Sequence, residues 1–481
     1  MICLEDSCSG GLTQKDVQRI HAATLEVLEK TGVVVAHAKA REILSGAGCR
    51  VDGDGRVRFP PQVVERAIEQ APEEVTIYSR LGEPRLRLGG RRVHYGTVTS
   101  LPFTADLDGN RRAYTLEDCR ETTILMDALN TMEFATATGN SADVPPAVSD
   151  THEQSCIFQH SPKPVLITTH DVEGLRTIMD ICAVYKGDMA AFKKEPFVLY
   201  CVCPISPLKY AESALSKMML AVESGFPFIA VAAPGAGGTS PISVAGTLVV
   251  GNAEMLCGLV LTQAIRPGAP FLYGGFMTNM DLAHMIMTHG SPEFNLLNSA
   301  QARMARHYGV PSFSSAGCTD AHEIDEQAGF EIGFNTLVTA LSGANLVHAM
   351  SVLGSGTAVC KELLILSDEY IRFTERFCRG VATDDRRLAV EDISRVGPGG
   401  SFMDSELTLS LFREEVWYPK LFVRDYFEKW VKEGKPRIRE RLKQEAARIL
   451  REHTPVPVDA DKLKAIDAIL RSSDRQRLKN V

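Results

Sequence analysis

Apolar positions along the chain fall into short runs separated by longer amphipathic stretches. From residue 116 onward seven such runs recur, at 133–137, 164–168, 197–201, 227–231, 270–273, 312–316 and 345–350, with helix-period patterns between them. Short runs that are apolar on both sides predict strands buried on both faces. Strand and helix alternating in this way predict an α/β chain folded as a TIM (β/α)8 barrel; a doubly wound sheet is the structural alternative, but no Rossmann fingerprint follows the first run. The eighth strand is expected either at 395–402 or ahead of residue 116.

The flanks read differently. Thr13 is a plausible N-cap before KDVQRIHAATLEVLEKTG, Gly32 supplies the stop, and VAHAKAREILSGAG repeats the helical pattern. A turn, VDGDGRV, leads to a helix opening at Pro61. Residues 75–114 predict an irregular β layer, with Asp108-Gly109-Asn110 as a hairpin turn. From Thr408 onward the chain is helical and strongly charged, which reads as a solvated face or a docking surface. Three parts are expected: an N-terminal helical and β-ribbon cap (1–115), a barrel (116–405) and a C-terminal helical extension (406–481).

Composition narrows the function. A chain of 481 residues that is 44% hydrophobic and 23% charged can bury a large core. A net charge of -8, with no Lys/Arg block before the C-terminal helices, argues against nucleic acid as a partner. The opening MICLEDSCSGG lacks a basic and an apolar leader region, and no stretch reads as a membrane span, so a cytoplasmic location is expected. The 12 cysteines are scattered without a CxxC pair. Cys201 and Cys203 share one face of a strand, but no third ligand lies near them in sequence, so no metal site is expected.

Candidate chemistry concentrates at 310–350, which reads as strand, loop, helix, strand. It places the Asp320 loop and His348 near the carboxyl ends of their strands, the edge at which a parallel barrel carries its site. His348 is either a satisfied core group or a pocket group. Asp320 stands where a helix N-cap belongs. Glu331, on an otherwise apolar helix, needs a partner or water. Asp320, Glu331 and His348 together form the candidate catalytic set. Other strand-end loops hold His170, Cys203 and the Gly274-Gly275-Phe276 step. The loop at 234–240, PGAGGTS, suggests a phosphate cradle but lacks GxGxxG and a lysine.

The runs Gly317-Cys318-Thr319-Asp320-Ala321, Asp325-Glu326-Gln327-Ala328-Gly329-Phe330-Glu331 and Ser342-Gly343-Ala344-Asn345-Leu346 resemble the trimethylamine methyltransferase family of corrinoid-dependent methyltransferases. Tyr95-Gly96 ahead of Pro102-Phe103, the hairpin at 108–112, and Trp430, Gly434 and Pro455 in the tail are similar too. The resemblance covers essentially the whole chain, and it implies a TIM barrel with an N-terminal addition. The family's founding enzymes hold pyrrolysine, whereas this chain uses only standard residues, so it resembles the non-pyrrolysine branch that demethylates quaternary amines such as glycine betaine.

That resemblance implies cobalamin carried by a separate corrinoid-binding protein, a quaternary or tertiary amine as substrate, glycine betaine foremost, and no tightly bound metal. A methyl on a quaternary nitrogen has a neutral amine as leaving group, so attack by Co(I) needs positioning rather than a general acid. Because the substrate's charge fades in the transition state, strong anionic binding would favour the ground state. Tyr95, Phe103, Tyr273 and Phe276 are then candidates for an aromatic cage, with Thr97 as a polar neighbour. His170 and His348 are candidates for the betaine carboxylate, and Gly274, Gly275 and Cys318 for the cofactor side. Two other readings compete: a barrel lyase or hydrolase using Asp, Glu and His as acid and base, and a barrel that binds methylated amines without chemistry. Self-association is open, since no interface is readable in the sequence.

Overall fold

The computed structural model describes residues 10–480; residues 1–9, where the leader was sought, lie outside them. Eight parallel strands form one sheet: β1 (His94–Thr97), β2 (Met132–Phe134), β3 (Val165–Ile167), β4 (Val198–Val202), β5 (Phe228–Ala232), β6 (Phe271–Gly275), β7 (Ser312–Ser315) and β8 (Leu346–Met350). Neighbours pair in chain order, and β8 returns to β1. The gap between β2 and β3 is bridged at Ala135: its N–H donates to the Pro164 carbonyl and its carbonyl accepts from Leu166 N–H, each at 2.9 Å. The sheet is therefore closed into a barrel, which excludes the doubly wound alternative and leaves no open edge.

The seven predicted runs are β2 to β8. The eighth strand is β1, from the segment ahead of residue 116; residues 395–402 hold the end of helix Val390–Val396 and a loop. A boundary at residue 115 consequently falls inside the barrel, after its first strand.

Inside the barrel Phe134, Leu166, Leu199, Cys201, Ile229, Val231, Leu272, Phe313 and Leu346 form one apolar cluster. A hairpin, Val75–Tyr78 against Pro84–Leu88, adds Val75, Ile77, Leu86 and Leu88 to that cluster. Tyr78 N–H donates to the Pro196 carbonyl, just ahead of β4, so this half of the predicted β layer plugs the amino-terminal end of the barrel. Each fully buried aliphatic or aromatic side chain there contributes about 1.5–3 kcal/mol. The other half lies at the opposite end. Phe103–Ala105 and Arg111–Ala113 form the predicted hairpin and join Ala358–Val359 and Val352–Leu353 from the chain after β8.

The N-terminal helices Gln14–Glu26, Ala38–Gly46 and Pro61–Gln70 pack on helix Val244–Ile265. Thr13 caps the first of them with a reciprocal bond to Asp16. Helix Val244–Ile265 is long and apolar enough to cross a membrane, against the expectation that no stretch has that character. It is mostly buried, held between the N-terminal helices and the barrel strands β5 and β6. The charged tail is likewise only partly a solvated face. Helix Ile438–Glu452 buries Leu442, Ala446 and Ile449, and helix Ala460–Arg477 buries Ile466, Leu470 and Arg477. The Arg477 guanidinium meets Asp150 at 2.9 Å, beside the loop after β3.

Candidate active site

At the carboxyl end of β8 the backbone leaves extended geometry, with Ala349 at φ +81° and Ser351 at φ +87°. Left-handed non-glycine residues cost on the order of 1–3 kcal/mol each and persist where the surroundings impose them. They follow directly on His348, which shares the inward face of β8 with Leu346 and is 5% exposed. Its ring lies against Phe313 (4.6 Å between centroids) and Phe276 (5.5 Å).

His348 Nδ1 lies 3.0 Å from the Ser314 carbonyl and 3.1 Å from Ser315 Oγ. A carbonyl only accepts, so Nδ1 carries the ring proton and Nε2 keeps its lone pair, with no hydrogen-bond partner among the described residues. Burial lowers the ring's pKa to about 4, so the imidazole is neutral across the physiological range.

A second histidine, not singled out from the sequence, completes this corner. His289 is 5% exposed, sits 4.7 Å from the Phe276 ring, and has its Nδ1 buried without a hydrogen bond. Burial lowers its pKa to about 4 as well. The signal that could have found it is positional. It stands two residues ahead of Ser291, the N-cap of helix Pro292–Tyr308, in the loop leaving β6, and such loops shape a barrel's mouth.

The carboxylates serve the loops from behind. Asp320 accepts the His289 and Gly290 N–H groups at 2.7 and 2.9 Å and the Ser355 hydroxyl at 2.9 Å. Glu331 accepts the Thr319 hydroxyl, the Asp320 N–H at 2.9 Å and Gln327 Nε2 at 2.9 Å. A Cβ on residue 290 would press on the Glu331 carboxylate and push it from its place under the loop. The same pattern recurs around the rim. Glu153 holds Ser141 N–H, Asp150 holds His170 N–H, and Glu254 holds Leu208 N–H and the Ser206 hydroxyl. Burial raises the pKa of Glu153 and of Glu254 to about 7. Of the candidate set Asp320, Glu331 and His348, the two carboxylates brace loops through these bonds, and His348 stands among the lumen rings.

The aromatic expectations divide. Phe276 stands in the lumen mouth between the two histidines. Tyr273 does not: its hydroxyl donates to Asn252 Oδ1 at 2.9 Å, on the helix outside the wall, and its ring packs on Tyr308. Tyr95 belongs to the outer core, with Glu375 and Cys378 of helix Lys361–Cys378 near its hydroxyl. In β1 it is the neighbouring Gly96 whose missing Cβ makes room for the inward Phe134 ring. Thr97 is buried and bonds to Thr136, tying β1 to the chain after β2. Phe103 lies on the hairpin beyond the mouth, half-exposed, with the Arg111 guanidinium 4.8 Å from its ring centre. His170 sits on an exposed loop, its Nε2 3.3 Å from Ser149 Oγ.

Residues expected on the cofactor side have structural reasons of their own. A Cβ at Gly274 would meet the Phe313 carbonyl, and one at Gly275 the Ala232 carbonyl, each at 1.9 Å, so both glycines permit close strand packing. Cys318 is buried, donating from Sγ to the His289 carbonyl at 3.5 Å. The glycine-rich loop is no phosphate cradle, because its N–H groups bond within the loop: Gly235 to Thr239 Oγ1, Gly237 to the Ser240 carbonyl, and Gly238, Thr239 and Ser240 to the Gly235 carbonyl.

Fold and site define a parallel-barrel enzyme whose carboxyl end gathers aromatic and neutral imidazole rings. The model of the trimethylamine methyltransferase (MTTB) family matches residues 7–476. The chain is 32% identical over 472 residues to a glycine betaine methyltransferase of Desulfitobacterium hafniense (strain Y51), covering 98% of this chain and 97% of that one. It is 31% identical to the trimethylamine methyltransferase MttB of Desulfitobacterium hafniense (strain DSM 10664 / DCB-2), over 96% of this chain and 92% of that one. Among solved structures, the hydroxylamine complex of MtmB superposes with a TM-score of 0.50 at 13% identity, over 94% of this chain and 95% of that one, a likeness of fold. The protein belongs to the trimethylamine methyltransferase family and is a methyltransferase.

Proposed function

We propose that the protein moves a methyl group from a quaternary amine, glycine betaine foremost, to the Co(I) of a corrinoid held by a partner protein. The observation that carries this reading is the neutral mouth of the barrel: Phe276, Phe313, His289 and His348 meet there, while the surrounding carboxylates bind loop N–H groups. A quaternary nitrogen has no hydrogen to donate and is held by dispersion and by the faces of rings. Its charge disappears as the methyl leaves, so a pocket without a facing carboxylate does not stabilise the starting ion over the transition state.

The acceptor supplies a nucleophilic Co(I), and the chain supplies position. His348 Nε2 offers a lone pair, and no N–H, toward the methyl-bearing end of the substrate. His289, neutral at working pH, has its ring turned to the Ser355 backbone and shapes the mouth beside Phe276. Three consecutive loops end in exposed apolar side chains at the rim: Ile205 after β4, Ile242 after β5, and Leu282, Met285 and Ile286 after β6. This edge suits a docking protein that must press its corrinoid over the opening. A cytoplasmic setting accords with the free thiols at Cys49, Cys119, Cys156, Cys182 and Cys257.

The test is methylation of cobalamin reduced to Co(I), with glycine betaine, proline betaine, carnitine, choline and trimethylamine offered one at a time. Methylation by glycine betaine alone supports the full reading. Methylation by another quaternary amine alone keeps the reaction and replaces the substrate. Folded protein that is silent with all five, also with candidate corrinoid proteins present, overturns the reading in favour of a barrel that binds without chemistry.

A further inference from the structure

On the outside of the barrel, away from the mouth, two helices bring reactive groups to a second cavity. Helix Leu116–Ala128 carries Cys119; helix Ser149–His160, packed along it, carries Cys156 and, one turn later, His160. Cys119 Sγ lies 3.8 Å from the Glu153 carbonyl, one turn ahead of Cys156 on the facing helix, so the two thiols share one stretch of the helix interface. His160 Nδ1 is 2.8 Å from the Cys156 carbonyl and 3.7 Å from Cys156 Sγ. Since the carbonyl only accepts, Nδ1 carries the proton, and that N–H also faces the sulfur.

Cys119 is 1% exposed and Cys156 9% exposed. Cys156 opens on a cavity of about 550 Å³ that Arg120, His160 and Gln159 share with Asp467, Leu470 and Arg471 of the C-terminal helix. The two thiols are thus unequal. The Cys119 S–H, then the His160 N–H and the Arg120 charge, hold Cys156 below the ordinary thiol range, while Cys119 is held well above it. A thiolate beside a cavity, backed by a protonated thiol, has the layout of a reactive cysteine with its resolving partner.

We propose that Cys156 and Cys119 form a peroxide-reactive dithiol site, in which a hydroperoxide oxidises Cys156 and Cys119 resolves the product to a disulfide. The Cys156 thiolate attacks one peroxide oxygen; an S–O bond forms as the O–O bond breaks, and the leaving oxygen takes a proton from water and departs as alcohol or water. Sulfur has then lost two electrons and the peroxide has gained them. Cys119 gives up its proton, its sulfur attacks that of Cys156, and the hydroxyl leaves with this proton as water. One hydroperoxide and two thiols yield a disulfide, one alcohol or water, and one water. His160 is the positioning residue that holds the sulfur ionised. The oxidised pair would lock together two helices that brace the loops after β2 and β3.

The test treats the folded full-length protein with hydrogen peroxide or cumene hydroperoxide in the presence of dimedone, followed by intact-mass and peptide mapping. Wild type is expected to lose two hydrogens and yield a Cys119–Cys156 crosslinked peptide. Cys119→Ser should instead collect a dimedone adduct on Cys156. His160→Gln should slow alkylation of Cys156 by iodoacetamide at pH 7 about tenfold, with the circular dichroism spectrum unchanged. The proposal falls if Cys156 in Cys119→Ser reacts no faster than the exposed Cys203 and Cys378, or if oxidised wild type carries no Cys119–Cys156 link.

Discussion

At position 348 an imidazole supplies what neither a carboxylate nor an ammonium could: polarity without charge. Its Nδ1–H is tied to the Ser314 carbonyl, so the ring cannot turn over, and burial keeps it neutral down to about pH 4. Replacing it by alanine removes the lone pair and leaves space between Phe276 and Phe313 for water. His348→Ala is expected to lower the rate of cobalamin methylation about 100-fold with the fold retained, the scale of a lost positioning contact. An unchanged rate would assign His348 to packing. Tyr273 makes the opposite case. Tyr273→Phe leaves Asn252 Oδ1 without its donor inside the helical layer and should cost about 1–2 kcal/mol of stability, read by thermal melting, with amine selectivity unchanged. A shift in selectivity would return Tyr273 to the pocket.

The βα loop is the element that carries the site, and each brace works alike, a carboxylate receiving N–H groups from behind. Glu254 shows the consequence for pH. Its folded pKa, raised to about 7 against a reference of 4.5, means that the native state binds the proton more tightly than the unfolded chain. The stability it contributes is present below pH 4.5 and is lost as pH rises through about 7, by roughly 3 kcal/mol at 1.36 kcal/mol per unit. Glu254→Gln keeps an acceptor for Leu208 N–H and removes the titration. The variant should melt higher than wild type at pH 8 and close to it at pH 5; equal melting at both would contradict the shift.

The sequence exposed this element only in part. The apolar run at 345–350 and the break at 317–320 located His348 and its neighbouring loop. Nothing local distinguishes a glutamate that braces a loop from one that meets a substrate, so the loop-bracing bonds of Glu331 and Asp320 were not legible. Strand alternation decided the tyrosines: Tyr95 and Tyr273 sit one residue from inward positions, and without the register their side is unreadable. His289, in a long loop with no motif, left no trace beyond its place before a helix cap.

At the scale of the molecule, β3 to β6 and β8 were legible because each is buried on both faces and reads as a nearly continuous apolar run, whereas Glu133 interrupts β2 and three serines make up most of β7. β1 was not, since His94-Tyr95-Gly96-Thr97 holds polar residues and a glycine, and a hairpin rather than a helix follows it directly. The long apolar helix at 244–265 was missed because its meaning depends on what covers it. A different surface stays uncovered. Helices Asp385–Leu388, Val390–Val396 and Glu406–Glu415 bury only one apolar residue, Leu411, while Val381, at 90% exposed, Val390, Ile393, Met403 and Leu409 face outward. Helices this short are marginal without packing, and a second copy of the chain is the cover expected for them. Sedimentation should show a dimer or larger multiple, and Val390→Glu with Ile393→Glu should yield monomer; a monomeric wild type at micromolar concentration would contradict this.

The most direct measurement is single-turnover methylation of Co(I) cobalamin by saturating glycine betaine, followed from pH 5.5 to 8.5. A barrel mouth held neutral by burial predicts methylated corrinoid formed at a rate that shows no histidine inflection across that range. Absence of methyl transfer, or a bell-shaped profile with release of product in the absence of corrinoid, would contradict the account and point to acid–base chemistry instead.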